Sequence, residues 1–298
     1  MKIQHSTRLA NAITWACTTE VNAPKPGNVN CYSDGHAMTV THFLNSAQAI
    51  APMLSNPDYR LGNKIYHAVL ATQQVAHCNT NLGIILLFAP LCQAVLQHTT
   101  QQPITLSSLQ AELSQQLKQL TVHDAELTYR AIQMAQAGGL GTVEQQDIHT
   151  TPTVTLQQAM SLAKNHDTIA RQYHNNYQLI FQTSYPLFVN EINCGQSIEW
   201  AIAFAYLKIL ADVPDSLISR KHGISRAKEV SQGAKKILLK LRENNTLNTI
   251  EPEIKNWDNT LKQQGINPGT TADIAATTLL VYALLQNDSQ KNKISVPA

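Results

Sequence analysis

The stretch from Gly83 to Leu96 constrains this chain more than any other segment. From Ile84 onward it is apolar all round, with no polar stripe to turn towards water. A helix of that kind must be covered on every side, so it reads as a central, buried element. Pro90 and Gln93 interrupt it. It is also shorter than the roughly 20 apolar residues that a membrane span requires. Cover for such a helix has to come from its own chain.

The rest of the sequence supplies that cover as one-faced helices. Leu9, Ala12, Ile13, Ala16 and Cys17 follow the i, i+3, i+4, i+7, i+8 pattern behind a cap expected at Ser6. Phe43, Ala47 and Ile50 continue it after Thr41, and Ile65, Ala68, Val69, Thr72 and Ala76 form another face. Thr121-x-x-Asp124 is a capping-box pattern before Ala125, Tyr129, Ile132 and Ala135, with Gly138-Gly139 expected to close that helix. Thr155, Ser197 and Thr271 are further expected caps. Residues 225–241 form a helix with Val230, Ala234, Ile237, Leu238 and Leu241 on one side. No segment alternates with period 2, and no Asn-Gly or Asp-Gly hairpin turn occurs. These patterns predict an all-α fold: a single compact multi-helix domain over residues 1–286 around the central buried helix. Residues 97–107 are expected as a loop, the Asn-rich 243–256 as a mobile segment, and 287–298 as a frayed tail.

Composition narrows the class. Charged residues make up 14% of the 298, and the formal net charge is +2. No Lys/Arg stripe suited to nucleic acid is present. The five cysteines (Cys17, Cys31, Cys78, Cys92, Cys194) are scattered without a C-x-x-C pair, as expected of reduced cytosolic thiols. The start, Met1-Lys-Ile-Gln-His-Ser, has no apolar signal core. A cytoplasmic protein with no membrane or nucleic-acid partner is expected; the chain is compatible with a homodimer.

Four polar clusters break the helical pattern. One runs from Glu20 through Ala23-Pro-Lys25-Pro-Gly27-Asn28-Val29 to Asp34-Gly-His36. The second is His77-Cys-Asn79-Thr-Asn81-Leu-Gly83, the third runs from Asp212 through Asp215 to Arg220-Lys221-His-Gly223, and the fourth is Asn267-Pro-Gly269-Thr270-Thr-Ala-Asp273. The first and last hold Pro beside Gly, which stiffens a loop and leaves backbone N–H groups to offer. With Lys25 and Asp273 they suit a polyphosphate and its metal ion. Each also has a plainer reading. Pro-Lys-Pro-Gly can be a turn, Asn79-Thr-Asn81 and Asp215 can be helix caps, and Arg220-Lys221 can be a solvated last turn. Asp273 can simply favour a helix start, and Arg171-x-Tyr173 reads as a half-exposed helix face. His36, His42, His77 and His222 read individually as structural.

Taken together, the clusters resemble the triphosphoribosyl-dephospho-coenzyme A synthase family, over nearly the whole chain. Residues 23–29 resemble its T-P-K-P-G-L-V. Gly35-His36 with Phe43-Leu-Asn-Ser-Ala47 resembles G-A-H…F-L-x-S-A. Asn79-Thr80 with Gly83 resembles N-T-H-K-G, residues 215–220 resemble D-T-N-L-L-x-R, and residues 267–273 resemble S-P-G-G-S-A-D. Departures are local: Ala37-Met38 where the family has Asp, Asn81-Leu82 for its His-Lys, and a lone Ser216 for its Thr-Asn. Gly138-Gly-Leu-Gly141 and Ile169-Ala-Arg171-Gln-Tyr173 resemble a divergent branch associated with archaea and one-carbon-metabolising bacteria.

The resemblance implies an all-helical fold and transfer of the triphosphoribosyl group of ATP to a hydroxyl of dephospho-coenzyme A, with release of adenine. Such chemistry needs a carboxylate to take a proton and Mg²⁺ with cations to hold the triphosphate. Glu20, Asp215 and Asp273 are the candidate catalytic carboxylates, with Asp215 and Asp273 also candidate Mg²⁺ ligands. Lys25, Gly27, Asn28, His36, Asn79, Asn81, Arg171, Arg220, Lys221, Asn267, Gly269 and Thr270 are the candidate nucleotide-binding residues. Two other readings stand beside this one: a related transferase acting on a pterin-type one-carbon cofactor precursor, and a helical nucleotide-binding protein without catalysis.

Overall fold

The structure is a computed structural model that describes residues 2–98, 103–244 and 247–286. The expected tail lies outside the described residues. In chain order the helices are α1 (Lys2–Asn22), α2 (Val40–Leu54), α3 (Leu61–Ala76), α4 (Leu82–Gln97), α5 (Leu106–Lys118), α6 (Val122–Met134) and α7 (Leu156–Ala163). They continue with α8 (Thr168–His174), α9 (Tyr185–Asn193), α10 (Ile198–Asp212), α11 (Ser216–His222), α12 (Ile224–Asn244), α13 (Leu247–Gln263) and α14 (Gly269–Leu285). A π-helical turn, Ile180–Ser184, leads into α9. No strand occurs among the described residues; there are two isolated bridges, Asn30 with Ser33 and Gly35 with Met38. The fold is all-α, as the periodicity predicts. Among the described residues no helix is long and apolar enough to cross a membrane.

The apolar run is indeed the centre: α4 packs against α1, α2, α3, α5, α8 and α14. Pro90 sits inside it and has no N–H, so the carbonyl of Leu86, four residues earlier, loses its helical donor. The hydroxyl of Tyr173 donates to that carbonyl at 2.6 Å, and that of Tyr177 donates to Leu87 O at 3.0 Å. Tyr173 is therefore fully buried, not on a half-exposed face.

A second helix, α14, is also buried nearly all round. Its threonines disguise this in the sequence. Thr277 and Thr278 turn their hydroxyls back onto Asp273 O and Ile274 O, so they enter the core with their polarity satisfied.

Several boundaries differ from expectation. Ser6 lies inside α1 and donates to Ser55 O at 2.6 Å. Helix α2 begins at Val40, before Thr41, and is capped by Thr39 in a reciprocal box with His42. Helix α6 ends at Met134, before Gly138-Gly139. Thr271 is not a cap, because α14 already begins at Gly269. Most of the stretch expected to be mobile, 243–256, is helical: α13 buries Ile250, Ile254 and Leu261 along one face, which outweighs its Asn-rich composition. The caps at Thr121, Thr155 and Ser197 form as expected.

Candidate active site

The two Pro-Gly loops, some 240 residues apart, pack against each other. Gly27 has a φ of +84°, and a Cβ there would lie 2.8 Å from Pro268 Cδ, so only glycine fits. Asn28 Nδ2 donates to Asn267 Oδ1 at 2.8 Å and joins them directly. Behind the first loop, Asp258 of α13 accepts from Gly27 N (2.8 Å), Asn30 Nδ2 (3.3 Å) and Ser33 Oγ (2.8 Å), and pairs with Lys262 at 2.9 Å. Tyr206 of α10 donates to Pro26 O at 2.8 Å. Every one of these contacts fixes the loop; none leaves it free to swing.

The loops form one edge of a cleft with a cavity volume of about 740 Å³. That is within the ordinary range for small-molecule sites. Its polar side gathers Glu20 from the end of α1, Asn79 and Asn81 before α4, Arg220 and Lys221 from α11, and Asp273 from the first turns of α14. The N-termini of α4 and α14 both open onto it, and neither has a side-chain cap from its own cap residue. Unsatisfied N–H groups and the helix dipole at such ends favour negative charge.

The acids differ in their surroundings. Lys25 is fully buried, forms an ion pair with Glu20, and donates to Asn28 Oδ1 (2.7 Å) and Val29 O (3.0 Å). Burial pushes the Glu20 carboxyl up, and the Lys25 ammonium opposes that shift. Asp273 has no such partner. Among the described residues its carboxylate accepts no hydrogen bond and enters no ion pair. It lies against the second residue of α4, where a Cβ on Gly83 would overlap its Oδ2 and Cγ. Burial, followed by the nearby charges of Glu20, Asp215 and Asp167, holds Asp273 well above the usual carboxylate range. Arg220 pairs with Asp167, and its Nε is buried with no partner among the described residues. Thr128 Oγ1, on the opposite wall, is likewise buried and unsatisfied. Buried polar atoms in that state call for a ligand or a water.

Glu20, Asn28, His36, Asn79, Asn81, Arg220, Lys221, Asn267, Gly269, Thr270 and Asp273 all line this cleft, as their co-occurrence in the sequence suggests. The remaining four expected residues do not. Lys25 faces inward as the counter-ion of Glu20, so it is no free cation for phosphate. The Gly27 amide is committed to Asp258. The Nε of Arg171 donates to Lys164 O at 3.0 Å. Asp215 caps α11 through Leu217 N (2.8 Å) and Ile218 N (3.1 Å), and its other oxygen takes the amide and hydroxyl of Thr271, both at 2.8 Å. Its capping role is therefore formed in full, with four donors on its two oxygens.

Two further lining residues, His36 and Asn79, follow their plainer readings, whereas the Asn81 side chain does not cap α4. His36 Nε2 donates to Gly27 O at 2.8 Å, and burial holds its pKa low, so the ring braces the loop as a neutral group. Asn79 Oδ1 accepts from Leu82 N at 3.1 Å, and Asn81 Oδ1 accepts from Thr72 at 3.0 Å. Asp167 was missed. It caps α8 through Ala170 N at 3.0 Å while its second oxygen holds Arg220, and nothing in the local sequence links residues 53 positions apart.

An all-helical domain with acids, cations and two helix N-termini converging on one cleft is of a class suited to an anionic, phosphorylated ligand. The comparisons specify the class further. Residues 6–292 match the CitG family, described as ATP:dephospho-CoA triphosphoribosyl transferase, and the chain belongs to that family. Probable 2-(5''-triphosphoribosyl)-3'-dephosphocoenzyme-A synthases of two Vibrio cholerae serotype O1 strains are each 24% identical over 283 residues, covering 88% of this chain and 83% of theirs. The crystal structure of a putative triphosphoribosyl-dephospho-coA synthase from Archaeoglobus fulgidus shares the fold, with a TM-score of 0.63 at 18% identity over 81% of this chain and 98% of that one. Family and relatives favour the transferase reading over both alternatives.

Proposed function

We propose that this enzyme transfers the triphosphoribosyl group of ATP to the ribose 2′-hydroxyl of dephospho-coenzyme A in the cleft described above. The hydroxyl oxygen forms a bond to C1′ of the ATP ribose as the C1′–N9 bond breaks. The hydroxyl proton leaves to a carboxylate, and the departing adenine is protonated, so atoms balance between two substrates and two products. The observation that carries this reading is the unpartnered Asp273 carboxylate set among two helix N-termini, Arg220 and Lys221.

Roles follow from the surroundings. Glu20 lies on the cleft wall and is the proton acceptor, with Lys25 stabilising its ionised form. Arg220 and Lys221 hold the triphosphate, with Asp167 keeping Arg220 aimed. Asp273 is the residue fit for Mg²⁺. No group of three or more His, Cys, Asp or Glu side chains that could hold a metal occurs among the described residues, and Mg²⁺ is typically bound by one or two carboxylates together with substrate phosphates. When bound, that ion would supply charge neutralisation on the polyphosphate. Because a ligating carboxylate must lose its proton, Asp273 would bind Mg²⁺ more tightly as pH rises.

The test is mass spectrometry of adenine and triphosphoribosylated product from ATP and dephospho-coenzyme A, for the parent and Asp273→Asn. The parent should form both products in equal amounts. The variant should stay folded yet lose orders of magnitude in turnover, since metal charge stabilisation contributes several kcal/mol. Adenine formation without the acceptor, or an unimpaired D273N, would overturn the assignment.

A further inference from the structure

The cleft has a second side, formed by α6, α7 and the segment between them. Its apolar groups are Ile132 of α6, Leu156, Met160 and Leu162 of α7, and Leu140 and Val143 of the segment between those helices, with Thr128, Gln136, Gln146 and Asp147 among them. Val143 is 58% exposed and Leu162 50% exposed, among the most exposed large hydrophobic residues described, and both stand on the cleft wall.

The segment that presents Leu140 and Val143 is built to hold them there. Asp147 accepts from Val143 N and from His149 N, both at 2.8 Å. Tyr129 donates to Gln146 O at 2.8 Å, and Gln146 Nε2 donates to Thr153 Oγ1 at 2.9 Å. At its other end Gly138 and Gly139 lie directly on Lys221 and Arg220. A Cβ on Gly138 would come within 2.8 Å of Lys221 Cε, and Gly139 has a φ of +76°. One tethered segment therefore touches the phosphate-side cations and also carries exposed apolar side chains to the mouth. Holding apolar groups in water costs free energy unless something covers them.

We infer that Leu140, Val143 and Leu162 form the subsite for the uncharged, amide-linked arm of the acceptor. The inference rests on the transferase reading and deepens it. Dephospho-coenzyme A is ADP joined to such an arm. The ADP moiety matches the polar side of the cleft, and the arm carries no charge and matches the apolar side continuous with it. The subsite separates the true acceptor from free ADP, which has the same hydroxyl.

The experiment measures binding of dephospho-coenzyme A and of ADP to the full chain. The donor site is kept filled with carbocyclic ATP, whose base is not held by a glycosidic bond. Parent and the double variant Val143→Ser/Leu162→Ser are compared, both positions being exposed enough for the fold to tolerate the change. The parent should bind dephospho-coenzyme A roughly tenfold or more tightly than ADP, as burial of two apolar side chains against a ligand allows. The double variant should lose that preference and keep its ADP affinity. Equal binding of both ligands by the parent, an unchanged preference in the variant, or an equal loss for both ligands would overturn the subsite. The last two outcomes include the case in which a partner protein, not the substrate, covers this patch. Turnover with ATP is read separately. A parent that binds the armed ligand preferentially but releases no adenine would sink the transferase reading and leave the subsite standing.

Discussion

Replacing Gly83 with alanine probes the cleft at its tightest point. Gly83 is the second residue of α4. Within a helix alanine is favoured over glycine by roughly 1 kcal/mol, so on propensity alone the change stabilises. The structure opposes it. A Cβ at 83 would overlap Oδ2 and Cγ of Asp273 and lie 2.8 Å from Ile169 Cδ1. Ordinary contacts between carbon atoms sit at about 3.5–4 Å, so the carboxylate must withdraw by about 1 Å or more. Overpacking of this kind costs about 1–3 kcal/mol, which leaves a net destabilisation of roughly 0–2 kcal/mol. Function should respond much more sharply, because a misplacement of about 1 Å in a positioning group can cost about 100-fold in rate. Thermal unfolding, an Mg²⁺ titration and kcat for adenine release would be measured on G83A and parent. A melting temperature within several degrees of the parent, with kcat down about 100-fold and Mg²⁺ bound more weakly, is the expected result. A kcat within threefold and an unchanged Mg²⁺ dependence would refute the claim that the seat of Asp273 matters.

Other sites give sharper stability readouts. Lys25→Met leaves Glu20 buried without its counter-ion and should cost about 3–5 kcal/mol in urea denaturation; Lys25→Met/Glu20→Gln should recover much of that, and a single-variant loss below 1 kcal/mol would refute the pairing. Tyr173→Phe strips the donor from Leu86 O and should cost about 1–3 kcal/mol, whereas the exposed Tyr32→Phe should cost nearly nothing. Lys64 is fully buried and burial brings its pKa down to about 8. Above that pH the folded state sheds a proton that the unfolded chain keeps until about 10.4, so stability should rise from pH 8 to pH 10 in the parent and lose that rise in Lys64→Met. Equal pH profiles for the two would show that Lys64 is not the source.

The fold was legible because its centre advertises itself: nothing but burial suits residues 84–96. Helix α14 was harder, since threonines that bond to their own backbone look polar in sequence and apolar in the core. The cleft was legible as a set of clusters, each at a helix end. Individual roles were not. Lys25 and Asp273 are both charged residues near a Pro-Gly pair, yet one is sealed against Glu20 and the other has no such partner. That difference depends on which side chain arrives from another helix, as with Asp167 meeting Arg220 or Asp258 meeting Gly27. Local pattern carries no trace of such meetings.

Pro90 within α4 has a consequence for how the chain comes to be folded. The Leu86 carbonyl freed by Pro90 is completed by a hydroxyl 87 residues further along, a second hydroxyl 90 residues on donates to Leu87 O, and α14, the last described helix, packs on both α4 and α1. During synthesis a nascent chain that has emerged only as far as α7 holds the most apolar helix of the protein with its backbone unfinished and its cover unmade. Such an intermediate cannot be a stable early subdomain. This chain should therefore acquire its structure late, once α14 has joined α4 and α1.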